Sequence, residues 1–196
     1  MKNVERFHFY YLLNAVALAG VSSILVFAFG YQFINHDIPC PLCLLQRAGL
    51  ILVGLGFQMN LSLKPRNSHY GFVLIGSLLT ATVAVRQTLL HITPDDPGYS
   101  STVLGIHFYT WCAISSAGMI LLIAFFTFIS DLSLDLDVPA ILLKVSKKIG
   151  LAASGVFLVI IFLNLVSTLF ECGLGSCPDN PVSYIWLSHS PSLLPL

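Results

Sequence analysis

Pro39-Cys40-Pro41-Leu42-Cys43-Leu44-Leu45-Gln46-Arg47 opens an apolar run that continues to Asn60 and carries a single charge, Arg47. A run of this length suits a helix crossing a hydrocarbon core, which takes about 20 residues. Pro41 fits the first helical position, where its missing N–H costs nothing, so Cys40 is expected beside the unpaired amides of a helix N-terminus. The partial positive charge there favours a thiolate at Cys40. Cys43 and Arg47, four residues apart, then share one helical face. Two thiols at Cys-x-x-Cys spacing can close a disulfide and reopen it, and here a permanent cation lies one turn away.

Outward from this stretch the chain has the same character. Of its 196 residues 56% are hydrophobic and only 9% charged, with mean hydropathy +0.86, whereas a soluble domain averages about a quarter charged residues. This composition belongs in a bilayer. A formal net charge of zero, without a basic cluster or a platform of stacking aromatics, excludes nucleic acid as a partner. Five runs are long enough to span: 9–31, 42–60, 70–91, 107–130 and 149–170. The first follows Lys2 and Arg6 as a signal peptide would, but it is longer than an h-region of about 7 to 15 residues, and it is read as a retained span. The expected fold is an all-α integral membrane helical bundle, one membrane domain over residues 1–196 with an external tail at 171–196.

Lys and Arg concentrate on the cytoplasmic side of membrane proteins. Lys2, Arg6, Lys64, Arg66, Lys144, Lys147 and Lys148 fall in one set of connections. The other set, residues 32–39, 92–106 and 171–196, has no cation and holds Asp37, Asp95, Asp96, Glu171 and Asp179. Five spans then give a cytoplasmic N-terminus and an external C-terminus. Arg47 and Arg86 remain inside spans, toward their outer ends, where an arginine needs a reason.

Several local features complete the chain. His36 and Asp37 lie in a tight outer loop, and the inner turn 63–68 is short enough to pack spans 2 and 3 antiparallel. Span 3 carries Arg86 and Gln87 and ends near His91. Residues 93–98 form a turn-rich outer loop, after which His107, Tyr109 and Trp111 open span 4 as interface anchors. Cys112 reads as a small buried apolar residue without a partner. The connection from Asp131 breaks at Pro139 and resumes as a short interfacial helix ending at Lys148. The tail, Tyr184 to Trp186 and Pro191 to Leu196, is apolar enough to rest on the outer membrane surface. Four of the five cysteines, Cys40, Cys43, Cys172 and Cys177, fall on the outer side, where disulfides persist. Two dithiol pairs there could pass a disulfide between them by exchange; equally, Cys172 and Cys177 could be a staple across a Gly-rich turn.

The Cys-x-x-Cys at the start of the second span, the Arg four residues after its second Cys, the short outer loops and a His near the outer end of the third span resemble the disulfide bond formation protein B (DsbB) family. Cys-Pro-Leu-Cys-Leu-Leu-Gln-Arg is the most specific part of a resemblance that covers spans 1 to 4. It implies a four-helix core in the bacterial inner membrane, which reoxidises a periplasmic DsbA-like thioredoxin-fold thiol oxidase and delivers the electrons to quinone, ubiquinone or menaquinone. Carried across by position, Cys43 is the thiol that meets the quinone, Cys40 its exchange partner and Arg47 the cation beside a quinone oxygen. His91 is a looser match, and either His91 or Arg86 could assist at the quinone, the former by donating a proton.

The family places a second cysteine pair between spans 3 and 4, but residues 92–106 contain no cysteine. A fifth span instead delivers Cys172 and Cys177 to the same side, a relocated pair that leaves the order of exchange open. Three other readings compete. A vitamin K epoxide reductase-like oxidoreductase has its Cys-x-x-Cys late in the chain rather than early. A metal-binding protein would need about four ligands, and none beyond the first pair is evident. The last is a membrane protein with inert disulfide staples.

Overall fold

Five helices of the computed structural model are long and apolar enough to cross a membrane: Phe9–Ile34, Pro41–Ser62, Asn67–Leu90, Phe108–Phe128 and Lys148–Cys172. The structure describes residues 2–35, 37–63, 66–93, 95–99, 102–129, 140–179, 181 and 183–188. The expectations for His36, for the turn at residues 64 and 65, for the connection 131–139 and for the tail 191–196 fall outside them. The helices are α1 (Lys2–Ile34), α2 (Pro41–Ser62), α3 (Asn67–Leu90), α4 (Phe108–Ile129), α5 (Ala140–Cys172) and the short α6 (Ile185–Ser188), with two strands, β1 (Thr102–Val103) and β2 (Ile106–His107). The fold is an all-α bundle.

Lipid tails are as apolar as leucine, so the helices associate through close packing and buried hydrogen bonds. Glycines bring α2 and α3 together. A Cβ at Gly76 would lie 2.7 Å from both the Gly49 carbonyl oxygen and the Val53 amide nitrogen, and one at Gly56 would lie 2.7 Å from the His69 carbonyl oxygen. α4 packs on α3, and α5 packs on α1 and α2. Phe157 of α5 is fully buried and its ring fills the space above Gly54 of α2. The fifth helix therefore belongs to the core, with Leu18, Leu25, Val53, Phe57 and Val73. At the end of the bundle away from Cys40, a polar knot ties α1, α2 and α3. Asn14 donates to the Tyr70 hydroxyl at 2.9 Å, Asn60 donates to Asn14 Oδ1 at 3.1 Å, and His69 Nδ1 meets Asn60 Oδ1 at 2.8 Å.

Three sequence expectations need correction. Span 4 does not open at His107 as expected, since after the turn-rich residues 93–98 strands β1 and β2 form a hairpin with Thr102 opposite His107. Leu104 and Gly105 at its tip both have positive φ, 54° and 77°, as a two-residue hairpin turn requires. His107 thus belongs to β2, and the helix starts at Phe108. The expected interfacial helix before Lys148 is not separate, because α5 runs unbroken from Ala140 to Cys172 through residues that are mostly good helix formers. Glu171 is not in a tail; it is the penultimate residue of α5 and is fully buried.

Candidate active site

Cys40 is the N-cap of α2, with extended backbone (φ −72°, ψ 162°) and Pro41 in the first turn. Its Sγ accepts the Cys43 amide N–H at 3.2 Å, so the cysteine takes the place of the usual Ser or Asp cap. Both thiols are free, with sulfurs 2.6 Å apart. Gln87 of α3, 1% exposed, donates through Nε2 to Cys40 Sγ at 3.3 Å and to Cys43 Sγ at 3.6 Å. Its own Oε1 accepts from Gln46 Nε2 at 2.7 Å. Cys40 Sγ thus meets the helix-end amides as its position predicts, while Cys43 shares the side of α2 that carries Arg47. The neighbouring Cys43 sulfur first, and burial second, push the Cys40 thiol up, well above the usual range. Cys43 lines one cavity with Arg47, a fixed cation that stabilises negative charge beside it.

Arg47 does not reach out to the surface. Its guanidinium donates to Gln32 Oε1 at 2.8 Å, to the Ala28 carbonyl at 3.0 Å and to Asn164 Oδ1 at 3.4 Å. Gln32 is fixed in turn, since its Nε2 donates to Ser167 Oγ and to the Tyr184 hydroxyl, each at 2.9 Å. Residues of α1, α5 and the C-terminal segment thus orient a cation carried by α2. A guanidinium has five N–H donors, and with three contacts made to protein oxygens, donors remain for an acceptor.

Such an acceptor has a place to sit. A cavity of about 550 Å³ adjoins Cys43 and Arg47 and runs between α1 and α4, within the range of about 300 to 1,000 Å³ usual for small-molecule sites. Phe27, Leu50, Phe108 and Trp111 make its walls apolar, while Cys43, Arg47 and Tyr99 give it a polar end. Its rim residues Ser23, Ile24, Phe27 and Ser115 are exposed on the sides of spanning helices, so the mouth faces the surface that lipid would cover. Tyr99 donates to the Ile38 carbonyl at 2.6 Å. Burial first, then the nearby cysteines, push its hydroxyl pKa up, which keeps it a neutral donor.

The other candidates lie elsewhere. Arg86 is on the exposed side of α3 and does not line the cavity. His91 caps the end of α3; its Nδ1 is 2.9 Å from Asp96 Oδ2 and its ring lies 5.7 Å from that of Tyr109, which stacks on His107. Only through Tyr109 does that cluster reach the cavity wall. Cys172, the last residue of α5, forms a disulfide with Cys177. Cys112, expected to be without a role, lines the cavity with Cys43. Among the described residues no three His, Cys, Asp or Glu side chains group closely enough to hold a metal ion.

Sequence reasoning passed over Gln87, Gln32, Asn164 and Glu171. Helical spacing could have found the first: Val73, Ser77, Thr80, Ala84 and Gln87 form one buried stripe of α3, and Arg86 is off it.

Residues 10–101 match the family model described as Disulfide bond formation protein DsbB. The chain is 36% identical over 90 residues to Disulfide bond formation protein B of Hahella chejuensis, covering 44% of this chain and 53% of the relative. It is 34% identical over 90 residues to the protein of that name from Chromobacterium violaceum (44% and 52%) and 32% identical over 89 residues to that from Nitrosomonas eutropha (43% and 53%). The chain spans about half the length of the curated relatives it matches, and no solved structure matches it significantly. The matched segment holds α1 to α3 with Cys40, Cys43, Arg47, Gln87 and His91, and leaves α4 and α5 outside. Over residues 10–101, then, this chain is similar to the disulfide bond formation protein DsbB family.

Proposed function

We propose that this protein is a thiol oxidase of the bacterial inner membrane, which generates a disulfide at Cys40–Cys43 with quinone as electron acceptor and passes it to a periplasmic DsbA-like thioredoxin-fold protein. The observation that carries this reading is the shared wall of Cys43 and Arg47 on an apolar cavity with its mouth on the lipid-facing side. An apolar ring with acceptor oxygens fits that cavity: the aromatic walls take the ring, and Arg47 has donors to spare. A bound quinone supplies a two-electron, two-proton acceptor to the dithiol.

The chain's own residues do the rest. Arg47 stabilises negative charge on Cys43 and on an oxygen beside it. Gln87 hydrogen-bonds both sulfurs and keeps them facing each other, while burial keeps Cys40 protonated until it is needed. Cys172–Cys177, at the same end of the bundle, acts as the partner-facing relay, oxidised by exchange with the first pair. His91 holds the α3–α4 loop through Asp96 rather than the acceptor. The excess of Lys and Arg in the opposite connections puts the Cys40 end on the periplasmic side.

The test is quinone reduction by purified protein supplied with a reduced thioredoxin-fold partner. Wild type should turn over, while Cys40→Ser and Cys43→Ser should be inactive; turnover in either variant would remove the proposal. Cys172→Ser with Cys177→Ser should block oxidation of the partner but leave the first pair oxidisable by quinone.

A further inference from the structure

The side-chain and backbone oxygens that Arg47 hydrogen-bonds are neutral, while two acids lie near it, Asp37 on the wall of the same cavity and Glu171 in α5. Glu171 follows Asn164 and Ser167 along the face of α5 that meets Arg47 and Gln32. It is 0% exposed, and neither carboxyl oxygen is hydrogen-bonded among the described residues. A buried acid with no hydrogen bond is costly as an anion unless a charge compensates it. The charges that reach it are Arg47, which attracts an anion there, and a thiolate at Cys43, which repels one. Asp37 of the α1–α2 connection, Tyr99 of the α3–α4 loop, Tyr184 of the C-terminal segment and Cys112 of α4 are the other titratable groups around this centre among the described residues. One cation therefore faces two potential anions, Cys43 and Glu171, in a setting of low dielectric where like charges exclude each other.

Resting on the thiol-oxidase reading above, we propose that Glu171 is the proton store of the Cys40–Cys43 centre, protonated while Cys43 is a thiolate and ionised once the pair is a disulfide. The single negative charge beside Arg47 then passes from sulfur to carboxylate and back. The reduced centre holds a Cys40 thiol, a Cys43 thiolate and a Glu171 carboxylic acid. When the S–S bond forms, the sulfurs lose two electrons, Cys40 loses one proton and Glu171 loses one. These make up the two electrons and two protons that convert a quinone to its quinol. When an incoming dithiol opens the bond by exchange, it leaves as a disulfide, and its two protons return to Cys40 and Glu171. Glu171 is a positioning residue for protons and charge; the sulfurs remain the catalytic groups. The fifth helix, outside the family match, thereby contributes to the redox centre.

The full chain in quinone-free nanodiscs, equilibrated with thiol–disulfide buffers between about pH 7 and 8, tests this. Alkylation and peptide mass spectrometry read the Cys40–Cys43 pair separately from Cys172–Cys177. Wild type should take up two protons per disulfide reduced, and Glu171→Gln one. The pair's reduction potential, taken from the buffer's own potential at each pH, should then fall by about 59 mV per pH unit in wild type and about 30 mV in the variant, so that the exchange constant against an ordinary thiol stays flat in wild type and changes about 10-fold per pH unit in the variant. Glu171→Asp, which keeps the carboxyl, should keep the two-proton slope. Equal slopes in wild type and Glu171→Gln would overturn the proposal. Wild type alone offers a second readout, since reduction of the pair should raise the infrared band of a protonated carboxyl, and its absence would overturn the proposal even if the variant failed to fold. None of these measurements uses quinone. Wild type that reduces no quinone yet keeps the two-proton slope would sink the functional reading alone, and quinone turnover with equal slopes would sink only the role of Glu171.

Discussion

Replacing Gln87 by Leu keeps the side chain close in size but removes its amide. Two losses follow, and they can be separated. Cys43 and Cys40 lose the donor now 3.6 and 3.3 Å from their sulfurs. A hydrogen bond to a charged group contributes about 1.5–3 kcal/mol, and these N–H to S distances are long, so the low end applies: about 1.4 kcal/mol, or tenfold, in the reactivity of the Cys43 thiolate. Independently, Gln46, 4% exposed, loses the acceptor for its amide, and an orphaned buried donor costs about 1–3 kcal/mol of stability. Alkylation of Cys43 at fixed pH reads the first effect, and thermal unfolding in detergent reads the second. Gln46→Leu combined with Gln87→Leu removes both members of that hydrogen bond, so it should recover most of the stability while Cys43 stays about tenfold slower. If Cys43 in both variants reacts within about twofold of wild type, a change of roughly 0.4 kcal/mol, then Gln87 does nothing for the sulfurs and the reasoning fails.

Arg47→Met should lower quinone turnover by about 100-fold or more and destabilise the fold by about 1–3 kcal/mol, because the acceptors on Gln32, Ala28 and Asn164 lose their donor; Arg47→Lys should recover charge but not the three-way grip, and land between. Gly76→Val, which drives a branched side chain into the α2–α3 contact, should cost about 1–3 kcal/mol of overpacking in thermal unfolding, with turnover falling only as the folded fraction falls. Asp96 is held below the usual carboxylate range, first by the Gly98 amide and then by His91. Its contribution to loop order is therefore complete above its unfolded value of about 3.9 and is lost as pH falls through the lower folded value. Protection of the Gly98 amide in hydrogen exchange should accordingly be flat from neutral pH down to about 4 and drop only below that.

The spans, and the pairing of Cys43 with Arg47, are legible in the sequence because both are short-range. Hydropathy depends on one run of residues at a time, and an i, i+4 pair shares a face whatever packs against it. The N-cap position of Cys40 follows likewise from Pro41. The protonation order within the pair does not, because it depends on Gln87 and on burial, both supplied by other elements. The error at Arg86 is one residue in the chain but about 100° around the helix. Charge drew attention to the residue that faces outward and away from its uncharged neighbour on the packed side. In a membrane helix, position on the buried stripe is the better guide to which polar side chain meets a partner.

The same criterion explains Glu171. Phe157, Ile160, Asn164, Ser167 and Glu171 are all buried and recur at alternating intervals of three and four, the spacing of one helical face. That stripe begins apolar beside the core and turns polar as it comes level with Arg47, so its composition follows what α5 packs against. Assigning Glu171 to an external tail, because it is acidic and directly precedes a cysteine in a Gly-rich turn, ended the stripe one turn too early. Continuing the periodicity would have carried the helix to Cys172 and placed a carboxyl on the packed side. A membrane helix does not bury an uncompensated acid there at small cost, so the pattern itself demands a cation on a neighbouring span. Arg47 and Arg86 are the two that lie within spans, and Arg47 is the one on the packed side of the bundle. The match of residues 10–101 to the family model ends before α5 begins, and the helix's own repeat together with the geometry of Arg47 places Glu171 on the packed side.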